Sequence, residues 1–404
     1  MIKIFEIMKS AFVFRARNFL PFSFSLFIFE IKVNYFETII TDMNISNRLR
    51  LFQAFSRRRA LLICLIFLPA FLFSLLILFS SYPQLVETFY ARGLFAGIAM
   101  ILSRLSAVVP FSLSEVSLYG GILLALFWAR RGIRQRRIGR ALLELLAGVV
   151  ILLSWFYFSW GFNYLRPPIS KQLHFASAAP DSLALRENFL WCVEKTNAAW
   201  QPVAKWNLQN LDQEIERGYA EVFAELNLPA ISGRWPPKFL LLPQLLDYTL
   251  TSGIFGPFFH EAHLNAHLLP VEMPFVLAHE KAHGRGFARE SEASFIALLV
   301  CLRSNTPAIH YSAYFSVLGR FRARYRQYAD YDSLKQLIRP EIVADVEAVW
   351  KRIEKYMGPL AEFSQKSYDV YLRANQVEGG TENYSDVVDL VVGWRKSHQE
   401  TIPQ

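Results

Sequence analysis

Cysteine is nearly absent from this chain. There are three in 404 residues, Cys64, Cys192 and Cys301, and no Cys-x-x-Cys. That excludes a disulfide-built scaffold and argues against a cysteine zinc site, leaving Cys192–Cys301 as the one cross-link to consider. Charge is sparse too, at 19% of residues against 53% hydrophobic, with 35 Phe, a composition rich for a soluble chain. No internal repeat and no low-complexity tract is present, which leaves out repeat architectures.

The apolar residues concentrate before residue 165. Residues 60–81 carry no charge and are long enough to span a bilayer. Residues 111–129 hold one charge, Glu115, and residues 141–162 one, Glu144, each near an end. Three transmembrane helices are therefore predicted, with Pro69 tolerated as a kink in the first. Basic residues set the orientation. Arg48, Arg50, Arg57, Arg58 and Arg59 precede the first span, and Arg130, Arg131, Arg134, Arg136, Arg137 and Arg140 fill the loop between the second and third. Both clusters are expected inside, which puts everything after Asn163 outside. The net charge of +9 comes largely from these clusters; it is a topology signal, and no nucleic-acid partner is expected.

Residues 84–108 are apolar but interrupted by Glu87, Arg92 and Arg104. They read as an amphipathic helix at the outer interface; a fourth crossing here would flip the following domain inside. Residues 1–42 are Phe-rich and basic, without a small-residue cleavage site. Met43 begins a stretch that runs naturally into the first span. The expected organisation is a poorly defined extension at 1–42, a membrane domain at 43–165 and an extracytoplasmic domain at 166–404.

Within that domain stands HEKAH: His279, Glu280, Lys281, Ala282, His283. Two histidines four apart lie on one helix face, from which both imidazoles reach one metal ion. Glu280 follows the first histidine, where it can face a water on the same ion and take its proton. The preceding Met273-Pro274-Phe275 reads as a helix start with Pro in its first turn. Gly284-Arg285-Gly286 is a break, and a second helix from about Phe287 to Leu302 follows. It opens with Glu290 and Glu292, and a third ligand would be sought in that acidic pair.

Residues 181–227 look helical, capped by Asp181 or Ser182, and helices fill most of 273–378. Lys238 to Leu242 is a short apolar run that suits a strand, and 243–270 reads as irregular. A strand just before the metal helix suits the binding of an extended peptide by strand addition, with Gly253 and Gly256 allowing close approach. His263 and His267 are four apart, but their surroundings read as turn and strand, where that spacing does not align two rings. His260, His263 and His267 are therefore expected as surface histidines near the cleft, any of them a possible substrate contact.

HEKAHGRGFARESEASF resembles a family of uncharacterised bacterial multi-pass membrane proteins, a domain of unknown function with an HExxH region. The resemblance runs from about residue 60 and includes Gly253 to Asn265, Tyr311-Ser312-Ala313-Tyr314 and a stretch around Gly380 to Leu390 with Tyr384. It implies a mainly α chain: N-terminal transmembrane helices, then an α+β zincin-like extracytoplasmic domain with a small edge strand and the HExxH helix, in a bacterial cell membrane. In zincins that use a glutamate, a pattern like ExEA opens the helix after HExxH and its first Glu binds zinc. Mapped here, that is Glu290, with Glu292 as the fallback. A metzincin pattern fails, because its third ligand position is Arg289, which cannot ligate.

The leading expectation is a membrane-anchored zinc peptidase acting on an extracytoplasmic peptide or protein. His279, His283 and Glu290 would hold Zn2+, and Glu280 would be the general base. Tyr311, Tyr314, Tyr384 and the cleft histidines His260 and His263 are the candidate oxyanion or substrate contacts. The alternative is a non-catalytic membrane sensor or scaffold with a degenerate peptidase domain. A transporter ranks last, since three spans with few charges offer little pathway.

Overall fold

The computed structural model describes residue 61, residues 63–375 and residues 387–398; the 1–42 extension and Tyr384 lie outside the described residues. The chain divides into two units, residues 1–67 and 68–404. Within the first, Ile63–Phe67 is helical; the packing described below belongs to the second.

Four helices are long and apolar enough to cross a membrane: Ile63–Ser81, Pro83–Ser106, Leu113–Arg134 and Ile138–Ser159. We label these helices of the second unit α1 (Leu68–Ser81), α2 (Pro83–Ser106), α3 (Leu113–Arg134) and α4 (Ile138–Ser159). Phe73 on α1, Leu123 and Phe127 on α3, and Leu142 and Leu152 on α4 all stand exposed in the protein itself. A contiguous apolar surface of this kind is that of a membrane protein, because lipid covers it without cost.

Helices α1, α3 and α4 coincide with the three stretches predicted as spans. The stretch predicted as amphipathic is α2, which meets the length and apolarity of a span. Yet both of its ends bond to the region after residue 160. Near its start Glu87 accepts from Arg166 Nε at 2.8 Å, and at its end the Ser106 carbonyl accepts from Lys238 Nζ at 2.7 Å. Between them Phe95 packs on His260, ring centroids 5.7 Å apart.

Beyond the membrane helices lie α5 (Ser182–Ala199) and α6 (Leu208–Glu225), capped by Asp181 and Asn207, whose side chains accept from the N–H three residues on. A three-stranded sheet follows, β1 (Pro237–Lys238), β2 (Gly253–Gly256) and β3 (Glu261–Leu264), in the order β1-β3-β2. β1 runs parallel to β3 and β2 antiparallel. β1 is shorter than the predicted 238–242 run because the N–H groups of Leu241 and Leu242 go to the Glu115 carboxylate of α3. The region read as irregular contains the other two strands. Glu261 of β3 holds the sheet to the membrane helices. Its carboxylate pairs with Lys238 and accepts from Leu113 N at 3.0 Å and Ser114 N at 2.8 Å, so it caps α3 from a distant part of the chain.

The remaining helices of more than five residues are α7 (Met273–Gly284), α8 (Glu290–Cys301), α9 (Pro307–Tyr325), α10 (Pro340–Glu354), α11 (Pro359–Ala374) and α12 (Val387–Ser397). Four of them, α7, α9, α10 and α11, carry Pro in the first turn, where its missing N–H costs nothing. α8 is buried along its whole length and forms the centre of the main apolar core. Cys192 and Cys301 are both buried and both free, so the pairing considered from sequence does not form.

Candidate metal centre

His279 and His283 leave α7 one turn apart and meet edge to face, ring centroids 4.7 Å apart. Their Nε2 atoms stand 3.2 Å from each other. The chain then reverses at Gly284–Gly286. Gly286 has φ +83°, a left-handed backbone suited to glycine, and the Phe287 N–H closes the turn on the Ala282 carbonyl at 3.1 Å. This brings the first residue of α8 back onto the histidines. Glu290 Oε2 lies 2.9 Å from His279 Nε2 and 3.5 Å from His283 Nε2. Among the described residues these three form the one cluster of potential ligand atoms close enough to share an ion. Glu292 is turned elsewhere, its Oε1 accepting from Ile169 N and from Arg289, both at 3.0 Å.

The donor set fits a small tetrahedral cation. Ligands at ~2.0–2.1 Å from a tetrahedral centre are about 3.3–3.4 Å from one another, and the three edges observed are 3.2, 2.9 and 3.5 Å. The outer nitrogens are engaged as such a site requires. His283 Nδ1 lies 2.7 Å from the Phe287 carbonyl and His279 Nδ1 3.2 Å from Ser294 Oγ. A proton donated from each Nδ1 leaves both Nε2 lone pairs facing the cluster.

Electrostatics agree. Burial pushes the Glu280 carboxyl up to about 8, with Glu290 adding to the rise and His283 opposing it. Burial opposes the charged form of Glu290, but His283 and His279 outweigh it and hold the carboxyl well below the usual range. Burial likewise opposes charge on His283, and Glu290 beside it overcomes this and raises its pKa. The Glu290 carboxylate is thus held ionised between the two imidazoles, a negative charge facing the position an ion would take. Glu280 has no hydrogen-bond partner among the described residues and packs against the β2 backbone. A Cβ at Gly253 would stand 2.7 Å from Glu280 Oε1. β2 is an edge of the sheet.

The hydroxyl that reaches this cluster was not among the sequence candidates. Tyr368 of α11 donates to Glu290 Oε1. Tyr311 instead donates to Asp345 Oδ2 at 2.6 Å, and Tyr314 packs on Trp191. The surface placement of the loop histidines is corrected as well. His260 and His263 are fully buried. His263 places its nitrogens 3.1 Å from the Ile254 carbonyl and 2.9 Å from Ser112 Oγ, and His260 Nε2 lies 3.1 Å from the Ser159 carbonyl. Both lock the sheet against the membrane helices. Only His267 is partly exposed, and it pairs with Asp247 at 2.7 Å.

Two further contacts position α7. Lys281, inside the motif, is fully buried and pairs with Asp212 and Glu216 of α6. Trp160, the residue after α4, donates from Nε1 to the His283 carbonyl at 2.8 Å. Neither has a local signal in the sequence, although a lysine buried on α7 needs a partner on physical grounds.

No curated protein and no solved structure matches the chain. A family model does, over residues 90–392, well past half of the chain, and the chain therefore belongs to the family described as protein of unknown function (DUF3810).

Proposed function

We propose that this protein is a membrane-anchored, zinc-dependent hydrolase of peptide bonds, with its site on the extracytoplasmic side in a zincin-like domain. One observation carries the reading: three donor atoms from His279, His283 and Glu290 at the mutual spacing of tetrahedral ligands. Bound zinc would polarise a carbonyl and acidify a water. The chain's own groups supply the rest. Glu280 is buried beside the cluster and free of hydrogen bonds, and its carboxylate would take the proton from water and later return it to the leaving amine. A dication beside it favours its ionised form, opposite to the effect of burial. The open edge of β2 next to Glu280 suits an extended peptide added as a further strand.

The arginine asymmetry supports three crossings by α1, α3 and α4. The bonds from both ends of α2 to the domain agree with a helix lying along it. The test is metal analysis of the purified full-length chain. It should hold one zinc; His279→Ala and His283→Ala should each lose it; Glu280→Gln should keep it while losing hydrolysis. Full zinc in both histidine variants removes the site. Full complementation of a deletion by the Gln variant removes catalysis and leaves a scaffold.

A further inference from the structure

α11 carries two faces with different tasks. Ala361, Tyr368 and Leu372 lie within about 40° of one another around the axis; Ala361 and Leu372 are buried and Tyr368 bonds Glu290. Leu360, Phe363 and Val370 lie within about 80° of one another on another side, and they are 56, 70 and 68% exposed. Glu362, Lys366 and Arg373 line a third face, all exposed. An exposed apolar stripe of this length beside a charged face is the pattern of a helix lying in a membrane interface.

One end of that stripe is placed by contacts with a candidate span. The C-terminal end of α11 is fixed to the last turn of α4, the end of a span. Tyr157 donates its hydroxyl to Asn375 Oδ1 at 3.1 Å, and Tyr371 packs on Phe156 with centroids 6.1 Å apart. The final turn of a spanning helix lies at the bilayer surface. Val370 adjoins Tyr371 and so starts at that level, and Leu360 is about 15 Å further along the axis.

We infer that α11 is seated in the surface of the bilayer, with Leu360, Phe363 and Val370 in the acyl boundary and phospholipid as the partner of this face. The same helix then places Tyr368 on Glu290 from its opposite side.

The full-length chain with Cys64→Ala, reconstituted in phosphatidylcholine vesicles, provides the test; Cys192 and Cys301 are buried. Leu360→Cys, Phe363→Cys, Val370→Cys and, on the charged face, Glu362→Cys each carry an environment-sensitive fluorophore. The three stripe labels should emit to the blue of the Glu362 label. They should be quenched several-fold by lipid bearing a nitroxide near the top of its acyl chain, and the Glu362 label should not. Stripe labels that behave like the Glu362 label overturn the inference. Blue-shifted labels that lipid does not quench overturn it too, and assign the face to a protein partner. Neither zinc nor a substrate enters the readout, so its failure is separable from failure of the hydrolase reading.

Discussion

Replacing Tyr368 by Phe tests the centre through a group that touches no proposed metal position. The hydroxyl donates to Glu290 Oε1, while Oε2 of the same carboxylate points at the histidines. Its loss leaves Oε1 buried without that donor and lets the carboxylate rotate. A hydrogen bond to a charged group contributes about 1.5–3 kcal/mol, and each ~1.4 kcal/mol is tenfold in a binding constant. That sets the fall in zinc affinity at about 10- to 100-fold. The lower end is expected, because the bond also exists without metal, and only the difference between the two states appears in the constant. The ring remains, so the packing of Tyr368 on Tyr371 at 5.9 Å is kept, and the part of the bond common to both states should appear as a fall of a few degrees in melting temperature. Competition against a chromophoric chelator, on detergent-purified full-length chain, gives the number. Unchanged affinity would refute the reasoning. So would tighter binding, which would mean that the freed Oε1 had joined the metal.

Gly253→Ala should separate metal from chemistry: its Cβ would stand 2.7 Å from Glu280 Oε1 and 2.8 Å from Val276 Cγ1. Displacing the base by ~1 Å should cost about 100-fold in rate while zinc content stays whole; full activity would show that Glu280 has room to spare. Burial holds His260 down to about 4 from an ordinary 6.5. It is neutral in the fold, and the unfolded chain takes its proton first as pH falls. Stability is therefore unaffected above pH ~6.5 and lost between ~6.5 and ~4, by about 2 kcal/mol at pH 5. His260→Asn, which tolerates the φ of +53° there, should show a smaller drop in melting temperature from pH 7 to pH 5 than the parent; an equal drop would assign acid lability to other groups. Topology reporters after residue 135 should read cytoplasm and after residue 170 the outside; a cytoplasmic signal at 170 would make α2 a crossing.

Local patterns were legible wherever the physics is local. HEKAH on its helix, the glycines of the reversal, Asp181 as a cap and the three charge-poor helices all act within a few residues, and each is where the sequence suggests. Distant pairings were not legible. Tyr368 meets Glu290 across 78 positions, and nothing near it marks the meeting. His260 and His263 read as surface residues because polar side chains beside turns are usually solvated; their partners, Ser159 and Ser112, belong to membrane helices more than a hundred residues earlier. Strand β1 stops early in a related way: shortly past its end the Leu241 and Leu242 N–H groups go to Glu115 and not to a neighbouring strand. In each case the membrane domain claims groups that the local sequence assigns to water or to a neighbouring strand.

The bond from Trp160 to the His283 carbonyl ties the end of α4 to the proposed metal centre, so bilayer thickness would bear on that centre. α4 is a 22-residue helix, and a helix in a thinner bilayer accommodates the mismatch by tilting. One residue past its end, tilt becomes displacement of an indole that is hydrogen-bonded to the backbone of a proposed ligand and packed on its imidazole with centroids 6.0 Å apart. His283 cannot follow alone, because His279 shares its helix and Lys281 is tied to α6. If α4 crosses the bilayer and zinc binds as proposed, load from the lipid would reach the centre as strain between α7 and α8, and acyl-chain length would act on it without an effector molecule.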